Sequence, residues 1–300
     1  MIMPKPHSPR TAVAHGFTLV ELIIVIAITS IIAAFAVYLI KNPVQAYVDS
    51  VARAELSDIA DQSLRRMTRD LRLALPNSVR ISADGKYLEF IPTKTGGRYK
   101  AEEDELGLNN VLNFTAATPS PFPLQFDIVG TAPSGRQTIV AGDFIVVYNL
   151  GPGFSPANAY DCTGTCNLAK VASTSTSAGT TTVLLDTNPF VAQVPSFPSP
   201  TARFQVVTKP ITYFCDDTVT KRLIRYSGYN FQPGQPVLST AAPLSTAPVQ
   251  ARIADRVNSC TFTFTSLANV QRGLVTLKIE LGSAGELLTL QHQIHVDNTP

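Results

Sequence analysis

HGFTLVELIIVIAITSIIAAFAVYLI, from His15 to Ile40, is the one long apolar stretch of the chain. From Leu22 to Ile40 it contains no charged residue, and Ile, Val, Ala and Leu dominate it. A helix of that length spans about 28 Å, which is close to the thickness of a bilayer's hydrocarbon core. The sequence therefore predicts a single transmembrane helix at residues 17–41.

The residues that flank the apolar run indicate its orientation. Lys5 and Arg10 precede it, and Lys41 with Asn42-Pro43 marks its far end. Basic residues favour the cytoplasmic side, so we expect a cytoplasmic N-terminus and a C-terminal bulk across the membrane. A cleaved secretory signal peptide is the alternative, but the run is too long for one and no small-x-small cleavage site follows it.

One carboxylate, Glu21, lies inside the apolar stretch. A charge within the bilayer costs a few kcal/mol, so such groups usually have a partner. Cleavage between Gly16 and Phe17 would create an α-amino group four residues before Glu21. The carboxylate would then penalise any subunit register in which it lacked an amine. The alternative is that Glu21 stays among wet cytoplasmic head groups.

The junction Gly-Phe-Thr-Leu-Val-Glu-Leu, at residues 16–22, follows a basic leader and precedes the apolar run. It resembles the class III signal of type IV pilins and pseudopilins. The resemblance implies that a prepilin peptidase cleaves after Gly16 and methylates the amine of Phe17. It also implies that Glu21, with Thr18 in the same assembly motif, meets the Phe17 amine of an adjoining subunit.

The resemblance further implies storage in the inner membrane, with the C-terminal domain in the periplasm, and later incorporation into a surface fibre. The expected partners are the prepilin peptidase, the other minor pilins, the major pilin and the inner-membrane assembly platform. Three functions stay open. They are a minor subunit that initiates, assembles or caps an adhesive pilus, a minor pseudopilin of type II secretion, and a membrane-tethered periplasmic binding domain.

Apolar residues recur at helical spacing beyond Pro43, so we predict an amphipathic helix at residues 42–76 that packs on the following domain. Together with the apolar run it could form one helix from Phe17 to Leu75, which Pro43 could interrupt or kink, and Pro76 with Asn77 is expected to stop it. The apolar positions are Val44, Tyr47, Val48, Val51, Leu56, Ile59, Ala60, Leu64, Met67, Leu71 and Leu75.

Residues 77–300 alternate β-branched or aromatic runs with segments rich in Gly, Pro, Ser and Thr. The predicted fold class is α+β and type IV pilin-like: a leader at residues 1–16, then a long helix packed on a C-terminal antiparallel sheet domain with long loops. The clearest hairpin joins Leu274–Leu281 to Glu286–Val296. The segment Ala172–Thr180, ASTSTSAGT, is predicted to be a loop.

The four cysteines predict two disulfides in an exported domain. Three pairings are open, and the spacing favours Cys162 with Cys166 and Cys215 with Cys260. A metal site is the alternative, but CxxC spacing and nearby histidines are missing.

No motif predicts an enzyme, a cofactor or a metal centre. His292 and His295 are three apart in a predicted strand and would point to opposite faces. The acidic run Glu102–Glu105 lacks the ligand spacing of a calcium loop and is interpreted as a solvated run. A net charge of +2 argues against a nucleic-acid partner. The amphipathic helix also carries a basic stripe, which is interpreted as a solvated face and not as a nucleic-acid site because acidic residues are interspersed with it. The stripe consists of Arg65, Arg66, Arg69 and Arg72.

Overall fold

The structure is a computed structural model that describes residues 16–102, 104, 110–115, 124–267, 272–283 and 285–300. In these residues, one long helix, α1 (Leu19–Arg72), is followed by fourteen strands and two short 3-10 helices. The strands are β1 (Arg80–Ile81), β2 (Tyr87–Phe90), β3 (Thr93–Tyr99), β4 (Gln125–Val129), β5 (Phe144–Val146), β6 (Leu168–Ser177), β7 (Thr180–Leu185), β8 (Arg203–Val207), β9 (Ile211–Asp216), β10 (Arg222–Ser227), β11 (Val249–Ala254), β12 (Val257–Leu267), β13 (Arg272–Ser283) and β14 (Glu286–Asp297). The predicted α+β class is confirmed.

The chain forms two compact units, the first ending at Ala52 and the second comprising Arg53–Pro300. The first unit is helical from Leu19 onward, and its helix continues through Pro43. A proline removes one N–H donor, so the Leu39 carbonyl loses its usual partner, yet the helix does not end there. The single continuous helix is therefore confirmed, and Pro43 does not interrupt it.

The buried stripe of α1 begins later than its apolar periodicity indicated. It is formed by residues spaced three or four apart, which places them on one face of the helix. Four predicted members are instead exposed: Val44, Tyr47, Val48 and Val51. The buried members on the helix are Leu56, Ala60, Leu64, Met67 and Leu71.

Two antiparallel sheets cover this stripe in the second unit. One has five strands in the order β1-β2-β9-β10-β11, and the other has three in the order β12-β13-β14. Side chains from both sheets join the stripe in one hydrophobic core. The predicted final hairpin is present as β13 and β14, which pair from Arg272↔Asp297 to Ser283↔Glu286.

A closed barrel of six strands, in the order β3-β4-β7-β6-β5-β8, forms a separate core. Two consecutive glycines allow β3 to approach β8. A Cβ on Gly96 would lie 2.9 Å from the Phe204 carbonyl oxygen, and one on Gly97 would lie 2.8 Å from the Phe204 ring. The two glycines are therefore a packing requirement of the barrel.

The predicted loop at Ala172–Thr180 is wrong, because most of this segment belongs to β6. Strand β6 pairs with β7 through to Ser177↔Thr180, and the turn between them contains Gly179 at φ +84°. The Ser/Thr composition suggested a loop. Threonine is a good strand former, however, and the partner strand satisfies the backbone.

Both predicted disulfides are present, with the pairing that the spacing favours. Cys215 on β9 and Cys260 on β12 are each 1% exposed, and their bond links the five-stranded sheet to the three-stranded one. Cys162 and Cys166 close a short local loop.

Candidate processing and assembly site

The residues around the predicted cleavage point are accessible and non-helical. Gly16, Phe17 and Thr18 precede the first helical residue, Leu19. No atom lies within 4 Å of the position that a Cβ on Gly16 would occupy, and Phe17 is 83% exposed. The peptide bond between them is therefore open to an approaching protease.

Thr18 is the N-cap of α1. Its hydroxyl oxygen accepts a hydrogen bond from the Glu21 backbone N–H at 3.3 Å, and its carbonyl accepts one from the Leu22 N–H at 3.2 Å. Threonine at the cap with glutamate three residues later is the sequence pattern of a capping box. This capping role of Thr18 was not predicted, although the pattern Thr-Leu-Val-Glu carries the signal.

The same geometry places Glu21 in the first turn of the helix. Unpaired backbone N–H groups give a helix N-terminus a partial positive charge, which stabilises a nearby carboxylate by about 0.3–1 kcal/mol. An α-amino group on Phe17 would add a full positive charge on the same side.

The helix surface beyond Glu21 is apolar and exposed. From Leu22 to Ile40 the large hydrophobic side chains are about half exposed or more. Two polar side chains on this surface form hydrogen bonds within the helix: Thr29 donates to the Val25 carbonyl and Ser30 to the Ile26 carbonyl, each at 2.7 Å. Such internal bonds suit an apolar environment, where unpaired polar groups are costly. Helix α1 is long and apolar enough to cross a membrane.

The other candidate residues do not converge on a chemical site. His292 and His295 lie on β14, and the part of the chain that the structure describes holds no group of three metal-ligating side chains. The acidic run Glu102–Glu105 lies partly outside the described residues. Within it, Asp104 pairs with Arg98 at 2.6 Å and accepts a hydrogen bond from the Ala101 N–H, which occupies its carboxylate.

A buried ion pair in the second unit was not anticipated from the sequence. Glu89 on β2 is fully buried, and its carboxylate lies 2.5 Å from the Arg80 guanidinium. The Tyr229 hydroxyl donates to the other carboxylate oxygen at 2.8 Å. Burial raises the pKa of Glu89, and Arg80 opposes that shift.

Arg80 is fully engaged in this cluster. Its guanidinium lies 3.7 Å from the centre of the Tyr160 ring, which is a cation–π contact. It also donates to backbone carbonyls of Gln232, Pro233 and Gly234. Because each group already has its partner, the cluster is a structural clamp on the loop at 232–234 and not an acid–base site.

The comparisons with known proteins concern the N-terminal segment. The family described as the prokaryotic N-terminal methylation motif matches residues 12–37. This range contains Gly16, Phe17, Thr18, Glu21 and most of the apolar run. Neither the comparison with curated proteins nor the one with solved structures found a significant match.

The long apolar helix, the antiparallel β domain and the methylation motif support a type IV pilin- or pseudopilin-like protein. The motif suggests a structural subunit rather than an enzyme. It implies processing by a prepilin peptidase, and the apolar helix fits membrane anchoring of such a subunit.

Proposed function

We propose that the chain is a minor subunit of a type IV pilus that helps to initiate, assemble or cap the fibre. The supporting observation is that one helix carries both a capped N-terminus with Glu21 and a continuous exposed apolar surface. In a helical bundle that surface packs on other helices, and the carboxylate sets the register. The chain is stored in the inner membrane, with residues 77–300 in the periplasm, until it enters the fibre.

In this proposal the work of the motif is electrostatic. A prepilin peptidase removes residues 1–16 and methylates the new amine of Phe17, which keeps its positive charge. When α1 enters a bundle, Glu21 loses water and needs that amine from an adjoining subunit, because an unpaired buried charge costs several kcal/mol. Misaligned subunits are thereby excluded.

The particular subunit that we propose is one of the mannose-sensitive haemagglutinin (MSHA) type. The stretches Thr68–Ile81 and Tyr87–Glu102 resemble the minor pilin MshO of that pilus. They include the end of α1 and the strands β1, β2 and β3. The partners are then the other minor pilins, the major pilin and the inner-membrane assembly platform, and cell adhesion is a property of the assembled fibre. A type II secretion pseudopilin is the alternative within the family.

Processing is tested by expressing the chain with and without a prepilin peptidase. N-terminal sequencing and mass spectrometry should find Phe17 as the first residue, methylated, only when the peptidase is present. An intact leader in its presence would favour a membrane-tethered binding domain with an incidental signal.

Assembly is tested with Glu21→Ala in cells that make the fibre. This variant should insert into the membrane and be cleaved normally but be absent from sheared fibres. Asp49→Ala is the matched control, since Asp49 is another acid on α1, where it accepts a hydrogen bond from Gln45. Normal incorporation of Glu21→Ala would refute the docking role. Co-purification with MSHA subunits, as opposed to type II secretion subunits, separates the two family members.

A further inference from the structure

A cleft of about 910 Å³ lies in the second unit, where α1 meets two sheet edges. Its walls include Arg252 and Ile253 of β11, and His292 and Gln293 of β14. Strand β11 ends the order of the five-stranded sheet, and β14 ends that of the three-stranded sheet. An edge strand presents backbone N–H and C=O groups that no neighbouring strand takes up.

The cleft is strongly basic. Its described lining includes one aspartate, Asp61, and five arginines, all with exposed side chains. We call it the arginine cleft, after Arg65, Arg66, Arg69, Arg72 and Arg252.

Most of this charge has no counter-ion in the described residues. Arg65 pairs with Asp61 at 2.6 Å, and Arg252 has a looser contact with Asp255 at 3.8 Å. Within the described part of the chain, no salt bridge is found for the other three arginines: Arg66, Arg69 and Arg72.

The nearest acid in the helix is already occupied. Asp70 follows Arg66 by four residues, which is the spacing of a helical ion pair. Its carboxylate instead accepts from the Tyr213 hydroxyl at 2.7 Å and pairs with Arg225 at 3.0 Å. The Asp70 carboxylate therefore anchors α1 to the sheet and does not pair with the arginines of the cleft, which stays positively charged.

We propose that the arginine cleft binds an extended, acidic segment of a partner protein. Guanidinium groups recognise carboxylates through paired hydrogen bonds, and Arg66, Arg69 and Arg72 lie on one face of α1. The edge of β14 offers the backbone groups to which an extended segment can add. On β11 the Ile253 carbonyl already accepts a hydrogen bond from the Ser63 hydroxyl at 3.1 Å, so β14 is the edge for this addition. The polar side chains of Gln62 and Gln293 also line the cleft and can bond its backbone.

The lining favours a peptide over a nucleic acid. None of its described residues is Phe, Tyr or Trp, whereas proteins that bind single strands stack bases on such rings. The net charge of +2 is also small for a duplex-binding surface. This inference goes beyond the proposed function and does not depend on it, because it needs only the charge and edges of the cleft.

The test measures binding of a short fluorescein-labelled peptide of alternating Thr and Glu to the full-length chain in neutral detergent. Fluorescence anisotropy at low and high salt gives the dissociation constant. The variant R66Q/R69Q/R72Q removes the unpaired arginines. The variant R136Q/R203Q/R222Q removes the same charge from exposed arginines outside the cleft. Thermal unfolding checks that both variants are folded, and the single variant R66Q replaces the triple variant should the latter unfold.

The wild type should bind the peptide, more weakly at high salt. The cleft variant should bind at least about ten-fold more weakly, or about three-fold for R66Q alone, and the control variant within about two-fold of wild type. No binding by the wild type, or equal losses in the two triple variants, would overturn the proposal. So would tighter binding of duplex DNA, or of phosphatidylglycerol vesicles, that the cleft variant abolishes.

Discussion

The guanidinium of Arg80 and the carboxylate of Glu89 form an ion pair at 2.5 Å in which the carboxylate side chain is completely buried. The pair joins β1 to β2, and Arg80 extends its contacts to a loop that begins 152 residues later in the sequence. A buried pair of this kind does not by itself raise stability, but removing one partner leaves the other charge without a counter-ion and destabilises the fold.

Replacing Glu89 should therefore destabilise the second unit strongly. Glu89→Gln leaves Arg80 charged and largely removed from solvent, so we expect the free energy of unfolding to fall by about 3–5 kcal/mol. Denaturant unfolding of the full-length chain in detergent measures it. Glu55→Gln, which breaks an exposed pair with Arg256 at 3.0 Å, is the control and should leave the midpoint unchanged. Similar midpoints for both variants would contradict the structural role of the clamp.

Asp216 should make stability depend on pH. Burial disfavours its charged form. The Thr220 hydroxyl and the backbone N–H groups of Val219 and Thr220 outweigh that effect and lower its pKa to about 2. Since this lies below the unfolded value of 3.8, the contribution is present above about pH 4 and is lost as the pH falls toward 2.

We therefore expect Asp216→Asn to be about 1–2 kcal/mol less stable than wild type at pH 7, and equally stable near pH 2. Unfolding curves across that range measure the difference. A gap between the two proteins that stays constant from pH 7 to pH 2 would rule out a titrating Asp216.

The two disulfides should contribute unequally. The Cys215–Cys260 bond spans 45 residues and the Cys162–Cys166 bond spans four. In the chain-entropy account, removing the longer link costs about 4 kcal/mol and removing the shorter one about 2 kcal/mol. The double alanine variants, compared by denaturant unfolding, test this order. A larger loss for Cys162→Ala/Cys166→Ala would show that loop length does not govern the effect.

Thr18 should hold the first turn of α1 together. Thr18→Ala removes the hydroxyl that accepts from the Glu21 N–H, which costs about 0.5–2 kcal/mol of local helix stability. Hydrogen exchange of the Glu21 and Leu22 amides in micelles should therefore speed up. In Thr18→Ser, which keeps the hydroxyl acceptor, these amides should exchange at the wild-type rate. Fast exchange in both variants would show that the threonine methyl group, and not the hydroxyl, protects the amides.

Part of this fold follows from local pattern. The apolar run, the helical spacing from Leu56 to Leu71 and the hairpin of β13 and β14 are all visible in the sequence. These features can be predicted because the spacing of apolar residues within a short window indicates a helix or a strand. The sequence also allowed one helix through Pro43, but it placed the end at Leu75 and not at Arg72, because helix ends depend on tertiary contacts.

The barrel could not be predicted in the same way. Its strand β3 contains Gly96 and Gly97, and its strand β6 is half Ser and Thr, so both resemble connecting segments. They become strands because Phe204 occupies the space beside the glycines and β7 pairs with β6. Phe204 is far from the two glycines in sequence, so its effect is invisible to local propensity. Strand β7 follows β6 after a short turn, but the Ser/Thr-rich composition of β6 hides this hairpin.

The N-terminal motif, the apolar helix and the paired cysteines are legible in the amino-acid sequence, since each rests on side-chain chemistry over a short segment. The burial of Glu89 against Arg80, and the contacts of Asp70 with Tyr213 and Arg225, arise only in the folded chain. Desolvation explains this difference. Whether a charge must find a partner depends on what the rest of the chain places around it.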